Sequence, residues 1–362
     1  MVTIDRSDLE RKLTTITSAL RSNSSFPLLG SNSQGQLSFW QDSYMPIWDG
    51  LASDGEDEFK FSVDPSIFRN LIGGFKSKEI DLTVNKKGAI VIVSDTSKVT
   101  VPYFDGPYDE IPDKPLMQVN CVVGRDFLKA LTKSKDFVSK TFENMSLTYT
   151  YLGNKYDEKY FISGAGAIYQ YATTVPYSGD TLPEMVIPPE YAAVVERLFS
   201  SPTVQIGLSD RQQIVMYDGP TLISTRTADE TYPSALYDRV EADGEVLFTA
   251  PKRKLLDSFR LALQTTKEDM VGINSTSDFN GNGIQLNIPN AIIEAELSLE
   301  VDVSTEFSRT FFSLPFLIKC LSSFEEDTVY VERLNTFNGA WRIGTGTEEF
   351  TILQPIQYDE PR

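Results

Sequence analysis

The residue types that most often carry out catalysis or hold transition metals are scarce in this chain. Its 362 residues include no histidine and two cysteines. Histidine is the commonest general base and metal ligand, so its absence excludes Ser-His-Asp and Cys-His mechanisms and leaves only all-oxygen metal sites. Cys121 and Cys320 both lie beside apolar residues, which predicts buried, reduced thiols.

Two short motifs have part of a ligand-binding loop but lack the rest. DFNGNG at 278–283 starts with EF-hand spacing, but Pro289 stands where the loop needs a bidentate glutamate. SGAGA at 163–167 lacks the third glycine and following helix of a dinucleotide fold, and no GxxxxGK occurs. We therefore expect no metal, no cofactor and no enzymatic activity. A carboxylate-metal phosphoesterase remains an alternative, because the sequence does not show whether acidic residues converge.

Positive charge is distributed unevenly along the chain. The net charge is −18, yet six segments with helical apolar spacing hold 19 of the 33 basic residues and 9 of the 51 acidic ones. The segments are 5–23, 64–78, 124–141, 188–202, 251–267 and 313–324. A basic face within an acidic shell attracts DNA at one place. Because no base-reading motif accompanies the charge, the pattern predicts phosphate contacts that do not select a sequence.

The same six segments belong to a long repeat. The first helices of successive pairs start 119 and 127 residues apart, and the second helices start 124 and 125 residues apart. A β-hairpin pattern, then a strand and an acidic, proline-bearing stretch, follows each second helix. This order predicts an α+β fold of three similar tandem domains, 1–116, 117–244 and 245–362, each with two helices against antiparallel sheets. Three unrelated α+β domains are the alternative.

Four stretches, in order along the whole chain, resemble the bacterial DNA sliding clamp, the β subunit of the replicative DNA polymerase III holoenzyme. They are TIDRSDLERKLTTITSALRSNSSFPLLGS, FSVDPSIFRNLIGGF, STRTADETYPSALYDRV and FTILQPIQ. The resemblance implies a homodimer in which two chains join head to tail as a six-domain ring, with helices lining the hole. It implies a processivity factor that encircles double-stranded DNA and tethers the replicative polymerase, and that a separate clamp loader places on DNA.

Two further expectations concern location and an alternative function. The charged N-terminus and the lack of a long apolar run predict a cytoplasmic protein without a membrane partner. The location implied by the resemblance is the bacterial cytoplasm, including that of a phage-infected host. From another functional class, a monomeric three-domain scaffold that binds only proteins stays open.

The candidate site residues fall into three groups. The predicted DNA-facing residues are Arg11, Lys12, Arg21, Arg69, Lys76, Lys129, Lys133, Lys135, Lys140, Arg197, Lys252, Arg253, Arg260 and Lys267. The resemblance implies a partner-peptide pocket formed by Ile168, Tyr169, Val240, Val246, Ser313, Phe316, Ile352 and Gln354. It also implies a dimer interface at Val99 and Val101, on an edge strand of the first domain.

Three stretches depart from the family pattern. SGAGAIYQYA replaces a TDGHRLA-like stretch, ADETYPSALY is longer than the family's DGRFPDY, and the tail continues as YDEPR. The departures bear on which peptide the pocket accepts, and they would suit a divergent, phage-encoded member.

Overall fold

The computed structural model describes residues 1–18, 27–41, 45–55, 57–95, 97–105, 110–141, 145–266, 269–276, 283–289 and 297–358. The chain forms two compact units. Unit 1 comprises Met1–Lys129, Pro176–Pro183 and Glu190–Ala228, and unit 2 comprises Ala130–Val175, Glu184–Pro189 and Asp229–Arg362. None of the described helices is long and apolar enough to cross a membrane.

The described α-helices include all six predicted ones, with shorter bounds. They are α1 (Arg6–Ser18), α2 (Pro65–Gly74), α3 (Arg125–Ser134), α4 (Pro189–Leu198), α5 (Ala235–Glu241), α6 (Lys252–Thr265) and α7 (Leu314–Ser322). Two 3-10 helices span Lys135–Phe137 and Met145–Thr148. Helix α2 starts with the Asp64 carboxylate accepting from the Ile67 N–H at 2.8 Å and ends at a glycine pair.

The shorter bounds correct three of the predicted positions. Lys76 follows the end of α2, Lys135 lies in a 3-10 helix and Lys140 lies beyond it. The sequence pattern overran these helix ends because basic residues continue past the last turn, where the backbone has already changed conformation. Helix α5 was not predicted at all.

The strands are all paired antiparallel and follow one plan three times. The first repeat has β1 (Val2–Asp5), β2 (Leu28–Ser33), β3 (Gln36–Gln41), β4 (Ile47–Ala52), β5 (Phe59–Val63), β6 (Glu79–Val84), β7 (Ile90–Ser94) and β8 (Ser97–Val101). The second has β9 (Met117–Gly124), β10 (Thr150–Tyr156), β11 (Lys159–Ala165), β12 (Tyr169–Gly179), β13 (Met185–Ile187), β14 (Thr203–Ser209), β15 (Gln213–Tyr217) and β16 (Leu222–Arg226). The third has β17 (Gly244–Pro251), β18 (Met270–Thr276), β19 (Gly283–Asn287), β20 (Leu297–Glu300), β21 (Asp302–Val303), β22 (Thr310–Ser313), β23 (Thr328–Leu334), β24 (Trp341–Gly344) and β25 (Glu349–Leu353).

Each repeat contributes two strand sets. One set pairs in the order β5-β2-β3-β4 in the first repeat and β22-β18-β19-β20 in the third. In the second repeat β13, β10 and β11 pair in that order, and a turn closed by the Gly166 N–H and the Tyr169 carbonyl at 2.8 Å leads to β12. The other set pairs as β1-β6-β7-β8, β9-β14-β15-β16 and β17-β23-β24-β25. The α+β class and the three predicted hairpins are confirmed.

The last strand of a repeat pairs with a strand of the repeat before it. Strand β16 pairs with β4 through Leu222–Trp48 and Ile223–Ile47. Strand β25 pairs with β12 over five residue pairs, from Tyr169–Leu353 to Thr173–Glu349. In the first repeat the equivalent strand is β8, which lies at the edge of its sheet, and β20 lies at the edge of the corresponding sheet in the third repeat. Among the described strands, both therefore keep one open side.

Backbone hydrogen bonds join the first helix of a repeat to the chain that follows its second helix. The Arg6 N–H donates to the Lys78 carbonyl at 2.9 Å in the first repeat, and the Lys252 N–H donates to the Asp327 carbonyl at 2.7 Å in the third. In the second repeat the Arg125 guanidinium donates to the carbonyls of Glu196 and Phe199 at the end of α4. In each repeat the start of the first helix is thus hydrogen-bonded to the end of the second helix or to the chain just after it.

A buried ion pair lies where β4 meets β16 in unit 1. The Lys12 ammonium on α1 is 2.6 Å from the Asp49 carboxylate, whose side chain is 1% exposed. The Thr221 hydroxyl donates to the same carboxylate oxygen at 2.9 Å, just before β16. Burial raises the pKa of Asp49 in spite of the nearby Lys12 ammonium. The packed rings of Trp40 and Trp48 lie beside Leu222 at the same junction.

Removing the Lys12 ammonium is expected to destabilise unit 1 strongly. Lys12→Met leaves the Asp49 carboxylate buried without its cation, which should lower the free energy of unfolding by about 3–5 kcal/mol at pH 7. Urea unfolding measures the loss. Arg11→Met is the matched control, because the Arg11 side chain is 71% exposed and its ion pair is worth about 0–1 kcal/mol.

The loss of unfolding free energy caused by Lys12→Met should also depend on pH. The folded-state pKa of Asp49 is raised above the ordinary value of about 3.9. At a pH between these two values, the folded chain therefore keeps a proton that the unfolded chain has released. Stability of the variant should therefore fall as pH rises through that window and recover as pH is lowered. A pH-independent loss below about 1 kcal/mol would contradict the buried ion pair.

Candidate functional site

The predicted DNA-facing residues differ in how far their side chains are exposed to solvent. Six of them are exposed: Arg11, Lys76, Lys140, Arg197, Arg253 and Arg260. The Arg253 and Arg260 side chains on α6 are 91% and 56% exposed, and their nearest acidic partner, Asp257, is 3.8 and 4.0 Å away. Such contacts are weak. These arginines therefore present guanidinium groups that a phosphate can reach.

Three predicted lysines have internal partners instead. Lys12 pairs with Asp49 as described above, and the Lys252 ammonium donates to the Phe324 carbonyl at 2.8 Å. The Lys133 ammonium is 2.8 Å from the Glu349 carboxylate, with side chains 23% and 16% exposed. These cations neutralise an acid or cap a helix, so the basic surface is smaller than the sequence count suggested.

The remaining predicted cations lie between these extremes or fall outside the described part of the chain. Arg69 donates to the Thr17 hydroxyl at 3.1 Å and so links α2 to α1. Lys129 and Lys135 are half-buried. Arg21 and Lys267 lie outside the described residues.

Five of the predicted pocket residues lie where β12, β25 and α7 meet in unit 2. The rings of Tyr169 and Phe316 have centroids 4.3 Å apart. The Gln354 N–H donates to the Ile168 carbonyl at 2.7 Å, just beyond the last pairing of β12 with β25. Ser313 precedes α7 as its N-cap residue, and its hydroxyl makes no capping hydrogen bond. An aromatic surface therefore lies beside a polar backbone turn.

The other three pocket residues are linked through Arg342, a residue that no sequence pattern singled out. Ile352 is opposite Arg342 in the pairing of β24 with β25. The Arg342 guanidinium donates to the Val240 carbonyl at 2.9 Å and to the Glu332 carboxylate at 2.6 Å. Glu332 in turn pairs with Val246 across β17 and β23. One arginine thus fixes the end of α5 against the sheet that carries Val246 and Ile352.

A buried hydrogen-bond network around Gln170 holds α5 from its other side. The Gln170 amide on β12 donates to the Leu236 carbonyl and to the Ser163 hydroxyl, each at 3.1 Å. Ser163 is also 2.6 Å from the Tyr232 hydroxyl. Burial raises the pKa of Tyr232. The long ADETYPSALY stretch is therefore held against β11 and β12 by a buried hydrogen-bond network.

The edge strand and the cysteines lie as the sequence predicted. Val99 and Val101 lie on β8 at the sheet edge, opposite Ile92 and Ile90; Val101 is buried and Val99 is half-buried. Cys121 and Cys320 are both buried and free, and burial raises the pKa of the Cys320 thiol to about 12. Within the described ranges, no group of three or more acidic residues or cysteines is placed to hold a metal ion.

Arg342 is expected to be much more important for stability than its neighbour Arg333. Arg342→Met leaves the Glu332 carboxylate and the α5 carbonyls without a partner in a largely buried place, which should lower the free energy of unfolding by about 2–4 kcal/mol. Arg333→Met is the control, because the Arg333–Glu245 pair is 39% and 41% exposed and should change stability by less than about 1 kcal/mol. Equal losses in urea unfolding would argue against the role of Arg342 in holding α5.

No protein-family model and no curated protein matches the sequence. Solved structures match it closely in backbone. The DNA polymerase III β subunit from Thermotoga maritima has a TM-score of 0.85 and 14% identity, covering 99% of this chain and 99% of that chain. The DNA polymerase β subunit of Streptococcus pyogenes has a TM-score of 0.86 and 14% identity, covering 99% and 100%. The DNA polymerase III β subunit from Pseudomonas aeruginosa has a TM-score of 0.85 and 14% identity, covering 99% of this chain and 100% of that chain. The chain therefore has the fold of bacterial DNA polymerase III β subunits along its whole described length.

Proposed function

We propose that this protein is a DNA sliding clamp: a ring of two chains that encircles duplex DNA and tethers a replicative polymerase to it. The observation that carries the proposal is the threefold plan, in which β8 and β20 lie at sheet edges where the corresponding strands of neighbouring repeats are paired. A fold match over 99% of the chain to polymerase β subunits supports it.

The strand pairings within the chain support the proposed ring closure. Wherever one repeat follows another, the last strand of the second pairs with the β4-type strand of the first. The strand β8 lacks such a partner among the described strands, and β20 occupies the β4-type position in the third repeat. We infer that β8 of each chain pairs with β20 of the other, head to tail. Two such contacts would close a ring and pair both of these edges.

The protein stays on DNA because the closed ring surrounds the duplex, and its direct contacts with DNA are weak. Exposed cations on the helices, such as Arg197, Arg253 and Arg260, contact phosphates without reading bases. The net charge of −18 disfavours DNA elsewhere on the surface. A closed ring stays on DNA without tight binding, so it slides.

Other proteins synthesise the DNA and place the ring on it. The sequence has no GxxxxGK motif, so a clamp loader opens the ring, and the polymerase and other partners insert a peptide beside Tyr169 and Phe316. The protein itself is not an enzyme and acts in the bacterial cytoplasm. The division into domains 1–116, 117–244 and 245–362 and the three groups of site residues are part of the same proposal.

Retention on circular DNA tests this function. Protein placed by its clamp loader on a nicked circle should remain bound through gel filtration and be released when a restriction enzyme linearises the circle. Release from both forms at the same rate would contradict encirclement, and a stable monomer at micromolar concentration would favour the protein-binding scaffold.

Reversing two exposed arginines should weaken DNA binding through charge alone. In the double variant Arg253→Glu with Arg260→Glu, the slope of log K against log salt concentration for a short duplex should become less steep. The change should be about 0.9 for each phosphate that the protein no longer neutralises. Anisotropy titrations at several salt concentrations measure this slope. Lys86→Glu with Lys87→Glu, at the exposed β6–β7 turn, makes the same charge change away from the helices. An equal effect in both pairs would show general repulsion and no defined DNA-facing surface.

A charge at the open edge should prevent dimerisation. Val99 lies on the same side of β8 as buried Val101 but remains half-buried, as expected if another chain covers it. Val99→Asp should shift the protein to monomer in light scattering at micromolar concentration. Thr100→Asp, on the exposed side of the same strand, should leave the dimer intact. A dimeric Val99→Asp variant would rule out pairing through β8.

A further inference from the structure

A cavity of about 160 Å³ lies in unit 1, between two strands and the chain that connects the first repeat to the second. On the strand side it is lined by Leu29 and Ser31 of β2 and by Lys60 and Ser62 of β5. These four residues share one face of the sheet, because Leu29 pairs with Ser62 and Ser31 pairs with Lys60. An apolar cavity of about 150 Å³ binds benzene in another protein, so this one has room for a single aromatic ring.

The connecting chain forms the other wall of the cavity. The Phe104 N–H donates to the Ser62 carbonyl at 2.9 Å, and the Ser62 hydroxyl donates to the Phe104 carbonyl at 2.6 Å. Tyr103 and Ile111 line the cavity from this side. Ile111 also packs against the apolar cluster that contains Leu29. The described parts of the connecting chain are therefore fixed to the sheet beside the cavity.

The second repeat has a corresponding place on its sheet. Strands β5 and β13 each end two residues before the helix that follows them. Aligning the two repeats on this helix start matches Leu29 with Tyr151 and Ser31 with Gly153, through the pairings of β2 with β5 and of β10 with β13.

Tyrosine rings fill that place in the second repeat. The Tyr232 ring stacks on Tyr151 with centroids 4.1 Å apart, and its hydroxyl is 2.6 Å from the Ser163 hydroxyl. The Tyr237 hydroxyl lies so close over Gly153 that a Cβ there would be 1.9 Å from its oxygen. Both rings belong to the chain that connects the second repeat to the third. The first repeat thus leaves open a place that the second repeat fills with phenol groups.

The lining of the cavity suits a phenol group. Leu29 and Tyr103 supply apolar surface, and no described residue hydrogen-bonds to the half-buried Ser31 hydroxyl. The ion pair of Lys60 with Glu110 borders the cavity, and its side chains are 61% and 75% exposed. The cavity is therefore reached from solvent beside an ion pair that contributes little to stability.

We propose that this cavity binds a tyrosine side chain of a partner protein. The ring inserts between Leu29 and Tyr103, and the phenol hydroxyl hydrogen-bonds to the Ser31 hydroxyl. Burial of the ring supplies most of the affinity, and the hydroxyl supplies the preference for tyrosine over phenylalanine. The inference goes beyond the proposed function and does not depend on ring closure, because all of these residues belong to unit 1.

Two small probes test the site on the full-length protein: p-cresol, which is the tyrosine side chain alone, and toluene, which lacks the hydroxyl. The methyl NMR signal of Ile111 reports binding in this cavity. We expect p-cresol to bind with a dissociation constant on the order of 1 mM, about three- to tenfold more tightly than toluene. Ser31→Ala should remove this preference, and Ser31→Leu should fill the cavity and abolish both shifts. Ser33→Leu, at an exposed position two residues along β2, should change neither.

A peptide pair extends the test to a protein partner. The acetylated, amidated peptide GSGYSGS should shift the Ile111 signal more strongly than GSGFSGS, and Ser31→Leu should abolish the shift. If p-cresol binds and the tyrosine peptide does not, the ligand is a free phenol and the proposed protein partner is wrong.

Two further outcomes would overturn the proposal. If neither small probe moves the Ile111 signal, the cavity holds only water, and if p-cresol and toluene bind equally, Ser31 does not select a hydroxyl. Ser31→Leu should leave retention on circular DNA intact, so a failure of this site can be distinguished from a failure of the clamp.

Discussion

Unpaired backbone groups at strand edges are the constraint on which the rest of this structure depends. A strand edge exposes donors and acceptors that must be hydrated or paired. The chain meets this requirement twice internally, at β4 with β16 and at β12 with β25. These pairings also place the Lys12–Asp49 ion pair and the Tyr169–Phe316 surface, since each lies at one of the two junctions. The same constraint leaves β8 and β20 as sheet edges with one open side among the described strands.

The element types were predictable because they depend on local patterns. Apolar spacing indicated six helices, and polar turns between β-rich runs indicated the hairpins. Helix α5 was hidden because its seven residues have little periodicity, and its place is fixed from outside, by Gln170 at one end and Arg342 at the other. The pairing of β12 with β25 joins residues nearly half the chain apart, and no local signal specifies it.

Site residues were harder to predict, since a residue type does not show what a side chain will contact. Lys12, Lys133 and Arg253 are alike in sequence as helical cations. In the fold the first neutralises a buried aspartate, the second pairs with Glu349 and the third is 91% exposed. Charge counting therefore found the basic helices but overestimated how many of their cations are exposed. Conversely, Arg342 gave no signal because its role arises from packing between distant elements.

The low identity to structures of the same fold separates two kinds of requirement. At 14% identity and a TM-score of 0.85, the backbone arrangement is retained while most residues differ. A ring that slides on DNA needs the former, together with cations whose positions tolerate change, because phosphates repeat regularly along the duplex. A peptide pocket needs particular side chains, so it can change with the partner. Tyr169 lies in SGAGAIYQYA, one of the three stretches that depart from the family pattern, so a side chain of the proposed pocket can change without any change of fold.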